Sequence, residues 1–244
     1  MSESLRIGIE ITFNISYLIV VWGLVIAMIR HQKDVATQNR PVAQRVLWAF
    51  ALLALGDTGH VGFRVIAYAL GGLDARPVIL GIPVSLVGVG ALATAITVTV
   101  FYMLMVDLWR LRFNKSLGWF GGLLLAAGAV RLVIMAFPQN QWDQILPPYN
   151  WSLLRNAFLV IQGLGVLYLI LRDAIPNNDG AFKWIGVMIA LSFAFYIPVI
   201  LFSAQIPLLG MLMIPKTCAY VGVAIIAYRD LYRPRVGTLR ALAK

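Results

Sequence analysis

Cysteine and histidine are nearly missing from this chain, which has one thiol, Cys218, and two imidazoles in 244 residues. A single thiol excludes an intramolecular disulfide framework and a cysteine metal centre, and it leaves the redox compartment illegible. His60 falls in an apolar run and His31 in a connection, a poor ligand set, so neither a metal site nor a cofactor is expected. Charge is scarce as well, at 12% of residues against 61% hydrophobic ones, far from the composition of a soluble domain. Alternating strands of the outer-membrane barrel kind do not occur. No repeat of roughly 34 or 40 residues and no duplicated half is visible. No small-residue cleavage site follows the segment 1–6, so a removable leader is not expected.

What the chain has in quantity is long apolar segments, at about 9–30, 45–70, 82–110, 117–137, 151–172, 183–203 and 207–229. Each is close to the roughly 20 residues that cross a bilayer as a helix. In lipid a helix satisfies its own backbone, so the expected fold is all-α, an integral membrane bundle of seven transmembrane helices forming one domain over residues 1–244. The net charge of +10 does not form a stripe with interleaved aromatics, which argues against nucleic acid and for the lipid bilayer as partner.

Fourteen basic residues, from Arg30, Lys33, Arg40 and Arg45 to Arg229, Arg233, Arg235, Arg240 and Lys244, lie on one side of the spans, and only Arg6 and Arg76 on the other. Short cytoplasmic loops retain positive charge, so the N-terminus is expected outside a plasma membrane and the C-terminus in the cytoplasm. The outer connection 138–150 carries Trp142 and Tyr149 just before Trp151, which fits an interfacial anchor or a lid.

Ionisable groups inside spans normally face the bundle interior. Asp57, His60 and Arg64 are spaced i, i+3 and i+7, so they share one face of the second helix. Glu10, Asn14 and Tyr17 share a face of the first. The other spans add Thr94, Thr97, Tyr102, Arg131, Arg155, Asn156, Gln162, Ser192, Tyr196, Lys216 and Tyr220. Gly56, Gly59 and Gly62 suit close packing beside the second helix. Pro198 and Pro215 predict kinks in the sixth and seventh, with Lys216 near the middle of the latter.

Arg64, Arg131, Arg155 and Lys216 fall in the central or outer half, yet only Glu10 and Asp57 are acids available there. Burying unpaired charge costs several kcal/mol per ion, which a bound anion would relieve. The expected ligand is therefore anionic or lipid-like, held by Asp57, His60, Arg64, Arg131, Arg155, Asn156, Lys216, Glu10, Tyr196 and Tyr220 in an outward-facing cavity. Other readings stay open. Arg131 and Arg155 can snorkel to the interface. Asp57 with Arg64, or Glu10 with Lys216, can be ion pairs that fix register, as in a sensor or an assembly subunit. His60 as base with Asp57 behind it is the catalytic alternative, a metal-free lipid-modifying enzyme.

Gly56-Asp57-x-x-His60 followed by Arg64 in a second span resembles a motif of uncharacterised bacterial multi-span membrane proteins, a likeness that covers the helical layout and implies no known activity. The seven-span layout with Lys216 in the last span is similar to microbial rhodopsins, with Tyr196 and Pro198 near their aromatic-proline pattern. It departs from them at Leu212, where the family's Asp is expected, and in a third span without a mid-membrane acid, so retinal is not expected as a cofactor. Alkaline ceramidase-like hydrolases need several histidines around zinc, and this chain has one intramembrane histidine.

Overall fold

The computed structural model describes residues 3–145 and 147–233, without the side chains of residues 3–7, 10 and 207. Seven helices follow one another: α1 (Glu3–Arg30), α2 (Arg40–Ala69), α3 (Leu86–Arg112), α4 (Gly118–Met135), α5 (Tyr149–Ala174), α6 (Gly180–Phe202) and α7 (Met213–Leu231). Each, with its flanking turns, contains a stretch long and apolar enough to cross a membrane. The fold is all-α, an integral membrane helical bundle.

Local chemistry sets where the helices begin and end. Pro41 stands in the first turn of α2, where a missing N–H costs nothing, so α2 starts at Arg40 rather than 45. Ser85 caps α3 by accepting the Gly88 amide at 3.2 Å, and Asp179 caps α6 by accepting that of Phe182 at 3.1 Å.

The expected start of the third helix at 82 is corrected. Residues 78–83 form a two-stranded antiparallel hairpin, β1 (Val78–Ile79) and β2 (Ile82–Pro83). Its turn residues Leu80 and Gly81 both have positive φ, 51° and 82°, which no helix accommodates.

The seventh helix also differs from expectation. A 3-10 turn over Pro207–Leu212 precedes it, and Pro215 is its third residue, where the absent amide has no intrahelical partner to lose. Lys216 therefore sits in the first turn of α7, not near its middle. Pro198 is inside α6, as the sequence suggests.

Contacts between connections define two ends. At the first, here the hairpin end, Arg76 beside β1 reaches Asp143 of the α4–α5 connection, and the Tyr149 hydroxyl donates to the Leu201 carbonyl. At the second, the basic end, Arg45 bridges to Asp107 at 2.5 Å, and Arg112 to Asp179 at 2.8 Å and Asp230 at 3.0 Å. Asp173 there meets Arg172, Lys115 and the Trp109 indole. Tyr232, just beyond α7, donates to the Ala43 carbonyl at 2.6 Å, and burial pushes the pKa of its hydroxyl up. Between the ends lies a buried apolar layer that includes Phe50, Phe101, Leu124, Val166, Ile170 and Phe193.

Candidate functional site

The site begins with missing side chains. A Cβ at Gly56 would run into Thr97 and come within 3.1 Å of the Thr94 Cα, while one at Gly90 would lie 2.9 Å from the His60 Cα. Only glycine at both positions lets α2 and α3 come so close. Gly59 meets Ala93 at ordinary contact distance, whereas Gly62 faces open space and takes no part in this approach.

That approach brings the Thr94 hydroxyl within 2.7 Å of Asp57 Oδ1, to which it donates. The other carboxylate oxygen accepts from the Tyr17 hydroxyl of α1 at 2.6 Å. Asp57 thus ties three helices through neutral donors. Among the described residues no cation stands within 4.0 Å of it.

The charges around Asp57 are arranged in sequence. His60 lies within electrostatic reach of Arg64, Asp57 and Lys216, and among the described residues its buried Nδ1 has no hydrogen-bond partner. Asp57 does not orient it. The Lys216 ammonium stands 4.0 Å from the centre of the Tyr196 ring and 5.7 Å from that of Tyr220, with Asp57 and Arg131 as the charges that act on it. Tyr220 shares a 2.5 Å hydrogen bond with Tyr102, and Tyr196 donates to Asn156 Oδ1 at 3.0 Å. Asn156 in turn donates to Ser152 at 3.4 Å.

Arg131 and Arg155 do not snorkel: they are 2% and 7% exposed. Arg131 donates to the Arg155 carbonyl at 2.8 Å, to the Ala95 carbonyl at 2.7 Å and to the Thr99 hydroxyl, all neutral acceptors. Arg155 turns the other way, to Asn140 Oδ1 at 3.0 Å and across the face of Trp142, 4.4 Å from its ring centre. Trp142 itself donates to the Met135 carbonyl and folds back on the bundle, which fits a cap better than a headgroup anchor. The side chain of Glu10 and residues Arg235, Arg240 and Lys244 lie outside the described residues.

Asp57, His60, Arg64, Lys216, Tyr196, Tyr220 and Arg131 are therefore neighbours in a chain of contacts and fields, which Arg155 joins through Arg131 and Tyr196 while its own guanidinium donates to the α4–α5 connection. The partners of the two buried arginines, Thr99, Asn140 and Trp142, were absent from the expected set. Their signal was present only as polar residues one connection away. Gln162, fully buried, has neither amide atom partnered among the described residues and lies against Gly128 of α4. None of Arg64, Arg131, Arg155 and Lys216 has a carboxylate within ion-pair distance among the described residues. In comparisons with known proteins, the chain matches no family model, no curated protein and no solved structure.

Proposed function

We propose that this protein binds or transports an anionic or lipid-like ligand at the polar set near the hairpin end. The excess of basic residues at the opposite end supports an orientation in which the site faces outward across a plasma membrane, with the N-terminus outside and the C-terminus in the cytoplasm. One observation carries the reading: among the described residues the Lys216 ammonium meets two aromatic faces and no hydrogen-bonding or ion-pairing oxygen. Cation–π contact supplies about 0.5–2 kcal/mol, less than the several kcal/mol that desolvating an ammonium costs. A carboxylate or phosphate seated there offsets the difference, with the unpartnered Nδ1 of His60 and the nearby Arg64 and Arg131 as further contacts.

The geometry favours binding over catalysis. Asp57 accepts from Tyr17 and Thr94, and among the described residues no hydrogen bond joins it to His60, so His60 has no orienting carboxylate. The nearest hydroxyl in sequence, Thr58, accepts from Trp22 of α1 and donates to the Ala54 carbonyl one turn earlier in its own helix.

The test uses the full chain in detergent and in liposomes, with octanoate and lysophosphatidic acid as probes of a carboxylate and a phosphate on an apolar chain. Lys216→Met is expected to weaken binding roughly thirtyfold, the scale of about 2 kcal/mol for a lost buried charge contact, with melting nearly unchanged. A Lys216→Met protein that misfolds returns the ammonium to a structural role, and one that folds and binds both probes as before removes the proposed site.

A further inference from the structure

At the basic end, the close of α1, the two short 3-10 turns after it and the start of α2 line an open cavity of about 580 Å³. Three cations line it, Arg30, Lys33 and Arg40, together with the amides of Gln32 and Gln44. No carboxylate is among its lining residues, although Asp34 belongs to the same turn as Lys33. Arg45, Arg110, Arg112, Lys115 and Arg172 at this end each stand within 4.0 Å of an aspartate, whereas among the described residues Arg30, Lys33 and Arg40 have no such partner. Arg40 donates its Nε to the Val35 carbonyl at 3.4 Å, which fixes the stem and leaves both terminal amino groups for a guest.

We infer that this cavity holds the phosphate of an anionic lipid headgroup, with the three cations and two amides as donors. Charge complementarity fixes the chemistry, since a phosphate accepts from several cationic donors at once. The lipid source follows from the wall. Ile29 lines the cavity and is 54% exposed, and Ile26 one turn earlier is 45% exposed, so an acyl chain can run along α1 directly below the headgroup. This site is separate from the one near Asp57 and does not depend on it.

The experiment titrates the detergent-solubilised full chain with short-chain phosphatidylglycerol, short-chain phosphatidylcholine and inorganic phosphate, reading melting temperature and bound lipid by native mass spectrometry. Phosphatidylglycerol is expected to bind and phosphatidylcholine to bind at least tenfold more weakly. The variant Arg30→Gln/Lys33→Gln/Arg40→Gln is expected to lose about tenfold or more in phosphatidylglycerol affinity, on the scale of the attraction each basic residue near a membrane surface contributes. A second triple variant, Lys183→Gln/Arg229→Gln/Arg233→Gln, removes equal charge at the same end outside the cavity and is expected to lose less than twofold. Gln44→Trp keeps every charge and fills the space, so it also weakens binding and carries the test if the first triple variant fails to fold. Inorganic phosphate acting as strongly as the lipid would keep the cavity as a phosphate site and overturn the lipid source. Equal losses in the two triple variants, or no loss with Gln44→Trp, would overturn the site.

Discussion

The two ends of the bundle treat charge in opposite ways. Of seven ion pairs among the described residues, six are at the basic end, while the hairpin end has only Arg76–Asp143, at 3.5 Å and with both side chains about half exposed. An exposed pair of that kind contributes at most about 1 kcal/mol. Asp107, Asp173, Asp179 and Asp230 each meet an arginine, so most acids of that end are neutralised within the fold. In the half that contains Asp57, cations are more buried and lean on carbonyls, hydroxyls and rings instead. Matched charge needs no visitor. Where charge is unmatched, around Asp57 and at the Arg30, Lys33 and Arg40 cavity of the basic end, a ligand does something the fold does not.

The contrast breaks most visibly at Arg112. Its guanidinium bridges Asp179 and Asp230 and lies 4.7 Å from the Phe182 ring centre, so Arg112→Met leaves two acids without it. The expected loss is about 3–5 kcal/mol, the cost of stranding a buried charge, read as a lower melting temperature of the full chain in detergent. Adding Asp179→Asn and Asp230→Asn to Arg112→Met is expected to recover a large part of it. No recovery would mean that Arg112 acts through packing on Phe182 and not through charge.

A smaller effect is expected at Asp57. Tyr17→Phe removes one of its two hydroxyl donors, and a hydrogen bond to a charged group is worth about 1.5–3 kcal/mol. Thr94→Val removes the other. Because both act on one carboxylate, the double variant is expected to depart from the sum of the singles by about 0.5 kcal/mol or more, measured by unfolding the four proteins of the cycle. Strict additivity would mean that the two hydroxyls do not share Asp57.

Periodicity made the common face of Asp57, His60 and Arg64 legible, as did the need of a helix for apolar length. The spacing of Gly56 and Gly59 announced a close neighbour without saying that it was α3, because the matching gap at Gly90 is three-dimensional information. The hairpin over 78–83 was hidden in an unbroken apolar run. Its Leu80 has a positive φ of 51° and is 97% exposed, a conformation its residue type does not advertise. The place of Lys216 within α7 was hidden for a related reason: residues 208–212 belong to the apolar stretch long enough to cross a membrane but form a 3-10 turn, so the α-helix starts later than that stretch. Whether Arg131 and Arg155 pointed inward or to the interface depended on acceptors in α3, α5 and the α4–α5 connection, which no local pattern contains.

Arg131 gives the smallest expected change and the sharpest comparison with Arg112. Both are buried guanidiniums, yet the acceptors of Arg131 are helix carbonyls, which keep their own intrahelical amides, and the Thr99 hydroxyl, which keeps its bond to the Ala95 carbonyl at 2.7 Å. Arg131→Met therefore leaves no orphaned charge behind. The gain from no longer desolvating a cation offsets the hydrogen bonds lost, so the stability change is expected to stay within about 1 kcal/mol, and a hydrophobic replacement can even stabilise. Melting of the variant beside Arg112→Met decides the matter. A loss as large as that of Arg112→Met would show that the hairpin half needs its unpaired cations for folding, and the difference between the two ends would then be one of partner chemistry and not of purpose.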